Sequence, residues 1–171
     1  METQISLKQL DELIVEYKKG NEDAFDLIYF ETKKSVYLSI RLIISRKEDV
    51  EDLMQDTYIK ALENLDNYKL GTNFKAWISR IARNNAINYY NKNKRIVLVE
   101  DIIPDNEISS PKLNHYLSFL DGEERDVIIY KLILQMSFKE ISKIIDKPIS
   151  TIHYIYKKSI SKIRKEVQYE D

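Results

Sequence analysis

Cysteine is absent from the 171-residue chain. Disulfides and thiolate metal sites are therefore excluded. Only two histidines occur, His115 and His153, and neither has nearby ligand-type partners in sequence, so neither a metal site nor a cofactor is expected. Glycine and proline are scarce, three of each. Strand-like alternation of apolar and polar residues is also rare, and the expected fold class is all-α. No apolar run approaches the roughly 18 residues of a membrane-spanning helix. Met1-Glu2 opens no basic-then-apolar leader, so the expectation is a cytoplasmic protein without membrane insertion. There is no nucleophile–base pair and no glycine-rich phosphate loop, and the chain does not read as an enzyme.

What is present is segregated. Hydrophobic residues make up 43% of the chain, enough to bury cores, and the length fits one domain or two small ones. The net charge of −1 conceals basic runs at 75–95 and 147–165 and acidic ones at 48–66 and 100–107. A nucleic-acid binder needs basic faces rather than a basic total. The most informative stretch runs from Asn73 to Arg95. At one hundred degrees per residue, Phe74, Trp77, Ile78, Ile81, Ala82 and Tyr89 share one side, the stripe of a helix packed on a core. Arg80, Arg83, Ile87 and Tyr90 lie opposite, and Lys75 sits at the border. Lys92, Lys94 and Arg95 continue the basic run without an acid, and Asn84, Asn85, Asn88, Asn91 and Asn93 add amides. Such a face can hold phosphates, stack on bases and hydrogen-bond base edges. A solvated basic helix fits the same residues.

Before this stretch, Leu7, Leu10, Leu13, Ile14 and Tyr17 predict a short helix ending near Lys19-Gly20. Asn21 is placed to cap the next helix, whose buried face is Phe25, Ile28 and Tyr29. Val36, Tyr37, Ile40 and Ile44 continue a helical pattern to about Ser45. From Asp49 to Asp66, Val50, Leu53, Met54, Thr57, Ala61, Leu62 and Leu65 face inward. Asp52, Gln55, Asp56 and Ile59 face outward. Outward acids ordinarily mean solubility. Ile59, an apolar residue among carboxylates, instead suits a basic partner surface with an apolar anchor. Asn67–Asn73 is a loop, its turn supported by Gly71.

Residues 96–112 read as an acidic linker, broken by Pro104 and Pro111 and carrying Glu100, Asp101, Asp105 and Glu107. Residues 113–171 form a second domain. Leu113, Tyr116, Leu117 and Leu120 mark a helical face. Capping-box spacing at Asp121/Glu124 and Ser137/Glu140 starts two helices, the first running to about Gln135 and the second over Phe138–Ile145. Pro148 opens a longer basic helix to about Val167. Two helices across a short turn form a helix-turn-helix. Ile152, Ile155, Tyr156, Ile160 and Ile163 face inward on the last helix. Ser150, His153, Tyr154, Lys157, Lys158 and Ser161 face outward, a surface suited to the major groove.

Three segments together resemble the extracytoplasmic-function group of sigma-70 family sigma factors. The first is Phe74, Ala76, Trp77, Ile81, Ala82, Arg83 and Asn84, followed by the basic run. The second is Glu51, Asp52, Leu53, Gln55, Asp56, Tyr58 and Ala61. The third comprises Leu120, Glu123, Arg125, Val127, Ser137, Glu140, Ile141, Ile144, Thr151, Ile152 and Lys157. It departs from the family pattern at Met136, Asp121, Asp146 and Ile155. The resemblance implies a dissociable RNA polymerase subunit that directs the core enzyme to promoters and helps melt the minus-ten region, with no covalent chemistry. It implies that Asp52, Gln55, Asp56 and Ile59 dock on the clamp helices of the largest subunit, with the flap as a second contact. It assigns minus-ten DNA to Lys75, Arg80, Arg83, Asn84, Asn88, Tyr90, Lys94 and Arg95 within residues 1–95, and a flipped minus-ten base to the 67–73 loop. It assigns minus-thirty-five DNA to Ser150, Thr151, His153, Tyr154, Lys157 and Lys158. The acidic linker is compatible with nucleic-acid mimicry in a polymerase channel and equally with a solvated tether. An anti-sigma factor is a further partner the resemblance admits.

The competing reading is a helix-turn-helix regulator that binds an operator without polymerase. Its sensing or dimerising half has no need for the basic aromatic helix at 74–95.

Overall fold

The computed structural model describes residues 5–93 and 111–169. Every regular element among them is helical. The chain divides into two compact units, Met1–Val97 and Leu98–Asp171.

In the first unit, α1 (Leu7–Lys18) starts at a capping box: Ser6 Oγ accepts from the Gln9 amide, and the Gln9 side chain accepts from the Ser6 amide. It buries Leu10 and Ile14 and ends at Gly20, whose φ of +97° suits only a residue without Cβ. Asn21 does not cap α2. Its side-chain amide turns back to Glu16, and Glu22 occupies the cap position without a side-chain bond. The helical patterns expected over 21–45 belong to a single helix for most of that span, α2 (Asp23–Arg41). Buried small hydroxyls keep its interior continuous. Thr32 and Ser39 donate back to the Ile28 and Ser35 carbonyls, each at 2.7 Å, so neither hydroxyl is left unpaired against the core. Arg41 closes the helix by donating to the Ile44 and Ser45 carbonyls at 2.8 Å. Tyr29, expected in the core, is 40% exposed. It lies on the flank of α2, its ring 4.9 Å from that of Tyr58.

The acidic helix is α3 (Lys47–Glu63), with Glu48 and Asp49 in its first turn, where the helix dipole favours them. A 3₁₀ turn, Leu65–Asn67, leads to the loop before α4 (Phe74–Lys92). α2 packs against α1, α3 and α4 around Ile28, Val36, Ile40, Leu53, Phe74 and Ile78.

The second unit contains α5 (Pro111–Ser118), α6 (Gly122–Ile128), α7 (Phe138–Ile145) and α8 (Ile149–Tyr169). Both expected capping boxes are formed, at Asp121/Glu124 and Ser137/Glu140. The helix expected to reach Gln135 changes character earlier, passing into a π-helical turn at Ile129–Ile133. There the Leu134 amide bonds the Ile129 carbonyl at 3.0 Å. The extra residue places Ile129 and Tyr130 both inside, and Gln135 leaves the turn with φ of +54°. Apolar periodicity does not register a one-residue expansion of this kind. Arg125 ties α5 to α6 by donating to the Leu117 and Leu120 carbonyls. α7 ends at Asp146 in the left-handed region, φ +59° and ψ +50°. That conformation is open to Asp as well as Gly, which explains how Asp146 stands in a turn position that the sigma pattern fills with glycine. Ser142 Oγ then donates to the Lys147 carbonyl at 2.6 Å, and α8 follows. Both α6 and α7 pack on α8.

Candidate polymerase and nucleic-acid interfaces

α4 is set by its ends and its stripe. Asn73 caps it through a 3.3 Å bond from the Ala76 amide. Phe74, Ile78 and Ala82 are buried, while Trp77, Ile81 and Tyr89 are half-buried. Burial extends further round the helix than the expected stripe, to Ser79, Asn85 and Ala86. Lys75 lies about 20° from both Ala82 and Ala86 on the helical wheel, and this rotation removes it from the free basic face. Its ammonium is half-buried against Glu31 of α2 at 3.1 Å. The neighbouring asparagines divide. Asn84 is exposed, whereas Asn85 is buried, donating to Thr57 Oγ1 at 3.2 Å and accepting from Lys60 Nζ at 2.8 Å. Asn85 therefore fastens α4 to α3. Its wheel position, about 20° from Phe74, was the signal for this. Arg80, Asn84, Asn88 and Tyr90 remain exposed and Arg83 is half-buried. Lys94 and Arg95 lie outside the described residues, as does the linker segment 96–110.

On α3, Asp52, Gln55, Asp56 and Ile59 are all exposed, Ile59 by 56%. The opposite side is closed by Val50, Leu53, Thr57 and Ala61. The Tyr58 hydroxyl lies 2.8 Å from the Thr32 hydroxyl on α2, and burial raises its pKa well above the usual phenol value. α3 thus presents a carboxylate–isoleucine face on a firmly seated helix.

On α8, Ile152 and Ile155 are buried, and Tyr156, Ile160 and Ile163 are half-buried. Ser150, His153, Tyr154 and Lys157 are exposed, Tyr154 by 67%, and Thr151 is half-buried. His153 is not isolated: its ring sits 4.0 Å from that of Phe138 on α7. Lys158 does not stand free on this outer face. With Lys162 it pairs with Glu124 of α6 at 2.8 and 2.6 Å. Glu124 is 2% exposed. Burial alone would raise its carboxyl, but Lys158, Lys162 and the Asp121 amide outweigh that and bring its pKa down to about 2. Capping-box spacing identified Glu124 as a cap. Its second role, as anchor of α8, comes from a helix 38 residues away and leaves no local trace.

Residues 33–96 match the family model "Sigma-70 region 2". The chain is similar over 91% of its length to the ECF RNA polymerase sigma factor SigW of Bacillus subtilis, at 24% identity and covering 95% of that protein. It is 26% identical to the ECF RNA polymerase sigma-E factor of Haemophilus influenzae over 83% of this chain and 87% of that one. Two solved structures share the fold. CnrH in complex with the cytosolic domain of CnrY gives a TM-score of 0.69 at 20% identity, covering 97% of this chain and 100% of that one. The sigma factor RpoE in complex with the anti-sigma factor NepR, from Bartonella quintana, gives 0.68 at 22% identity, covering 86% and 98%. α3 and α4 lie inside the region that matches sigma-70 region 2, and the extracytoplasmic-function sigma factors to which the chain is similar align along both units.

Proposed function

We propose that this protein is a dissociable subunit of RNA polymerase that carries the core enzyme to specific promoters and opens the minus-ten region. The observation that carries this reading is the pair of opposed faces in the first unit. α3 offers an acidic face with an apolar anchor, and α4 offers Arg80, Arg83, Asn84, Asn88 and Tyr90. One suits a basic protein surface and the other suits nucleic acid. Asp52, Gln55, Asp56 and Ile59 dock on the clamp helices of the largest subunit. Arg80 and Arg83 hold phosphates while Asn84 reads a base of the non-template strand. Lys75 acts from the pair with Glu31, steadying α4 on α2.

In the second unit α7, the turn and α8 act as a helix-turn-helix. Ser150, Thr151, His153, Tyr154 and Lys157 meet the minus-thirty-five element, and Lys158 orients α8 through Glu124. The flap is the expected polymerase contact of this unit. The protein works in the cytoplasm, and an anti-sigma factor is a natural antagonist, since the α3 face must be covered or free for docking to be controlled. Sigma factors are initiation factors without covalent chemistry of their own, and no enzymatic step is assigned.

The test is a pulldown with purified core RNA polymerase followed by transcription from a selected promoter library. Stoichiometric binding and promoter-dependent transcripts are expected. Tight binding of a palindromic site without polymerase, and no association with the core, would restore the operator-binding reading.

A further inference from the structure

The loop between α3 and α4 is held from a distance. Asp11, in the middle of α1, receives both of the loop's inward donors. The Tyr68 hydroxyl lies 2.7 Å from Asp11 Oδ1, and the Gly71 amide donates to Asp11 Oδ2 at 2.6 Å. The Tyr68 hydroxyl also lies 2.8 Å from the Thr72 carbonyl. Its one proton is shared between these acceptors, and the charged carboxylate is the stronger. Burial raises the Tyr68 pKa and the Asp11 bond raises it further, so the phenol stays a donor. Its ring is packed on Phe74 and Trp77, the first residues of α4's apolar stripe.

The residues between these anchors form a tight turn. The Thr72 amide and hydroxyl both bond the Lys69 carbonyl, at 3.3 and 2.6 Å, and Gly71 has φ of +80°. This is the geometry of a type II turn with glycine at its third position. At the second position stands Leu70, 49% exposed, with exposed Lys69 beside it. An apolar side chain held outward on a fixed turn resembles neither a folding element nor a solubilising loop. α1 supplies the fixing although it carries none of the residues assigned to DNA.

We propose that Asp11 is a positioning residue for promoter opening, holding the Tyr68–Thr72 turn so that Leu70 and Lys69 receive one unpaired minus-ten base in a single geometry. This rests on the sigma-factor reading of the loop. Fixing the turn beforehand removes its ordering cost from the moment of base capture and makes the fit selective.

The experiment uses the full chain with core RNA polymerase and promoters varied at each minus-ten position, with permanganate reactivity reporting opening. In Asp11→Asn the amide accepts one of the two donors and confronts the other with its own N–H groups. Discrimination at one minus-ten position should fall about five- to ten-fold, the scale of one base contact, while core binding is unchanged. Tyr68→Phe, which keeps the buried ring, should lose discrimination at the same position, and the double variant should add nothing further. An equal loss of opening on every promoter, tracking a lower melting temperature, would make Asp11 merely structural and overturn the proposal. Parent-like discrimination in Asp11→Asn, or in Tyr68→Phe should the former not fold, would also overturn it. Leu70→Ala separates the two levels. If it lowers discrimination while the Asp11 variant does not, the loop reads a base without help from Asp11. If neither changes, the loop's assignment to the minus-ten base fails as well.

Discussion

Asn84 and Asn85 show how finely the two sides of α4 are divided. They are adjacent, chemically identical and equally noticeable in sequence, but one turn step of about 100° separates an exposed amide from a core fastener. Asn84→Ala should reduce permanganate reactivity of the minus-ten region and leave the melting temperature within about 0.5 kcal/mol equivalent of the parent. Asn85→Ala should do the reverse at first order. It removes the amide that joins Thr57 to Lys60 and should cost about 1 kcal/mol in thermal unfolding, with opening lost only in proportion to the unfolded fraction. The same comparison explains why site residues were only partly legible. Arg80, Asn84, Asn88, His153 and Tyr154 are exposed because helical phase puts them there. Lys75 and Lys158 have the right phase for a border or outer position but meet Glu31 and Glu124. Those carboxylates belong to other helices, and no local pattern announces them.

At the scale of elements, caps were the most readable feature. Ser137 and Asp121 mark helix starts because a hydroxyl or carboxylate and a glutamate three residues on satisfy two orphan amides at once. Continuity was less readable. The two apolar patterns over 25–44 do not tell one helix from two; Thr32 returns its hydroxyl to Ile28 and α2 runs through. α3 is the element on which the polymerase assignment turns. Its inner side seals the core, so the outer Asp52, Gln55, Asp56 and Ile59 have no folding duty there. Ile59→Ala should weaken core polymerase binding about ten-fold, as expected for truncating a packed anchor worth on the order of 1–2 kcal/mol. Asp52→Lys and Asp56→Lys should weaken it more, since like charges would then meet. Circular dichroism should show all three folded like the parent. Three folded variants that bind like the parent would remove this face from the docking surface.

The whole molecule is acidic and basic by turns, and that segregation was visible in the chain before any helix was placed. Its two units also differ in the groups that tie their helices together, which gives each its own response to pH. In the second unit Glu124 is held ionised by Lys158 and Lys162. Its pKa lies at about 2 in the folded state against 4.5 for the ordinary group, so the folded form binds its proton less readily than the unfolded chain. The stabilisation from this pair is complete above pH 4.5 and is lost as pH falls towards 2. In the first unit the Tyr58 and Tyr68 phenols are raised above 10.0, chiefly by burial, so their contribution is complete below pH 10 and disappears as pH rises beyond it. The single tryptophan, Trp77, lies in the first unit. Alkaline titration above pH 10 should therefore shift Trp77 emission together with the circular dichroism signal, and Tyr58→Phe should move that transition to higher pH. In acid, Glu124→Gln should show lower stability than the parent at neutral pH, with the difference vanishing as the pH approaches 2. That difference should appear in circular dichroism. A neutral-pH difference that persists undiminished at pH 2 would mean that Glu124 stabilises α8 through shape and packing rather than through its charge.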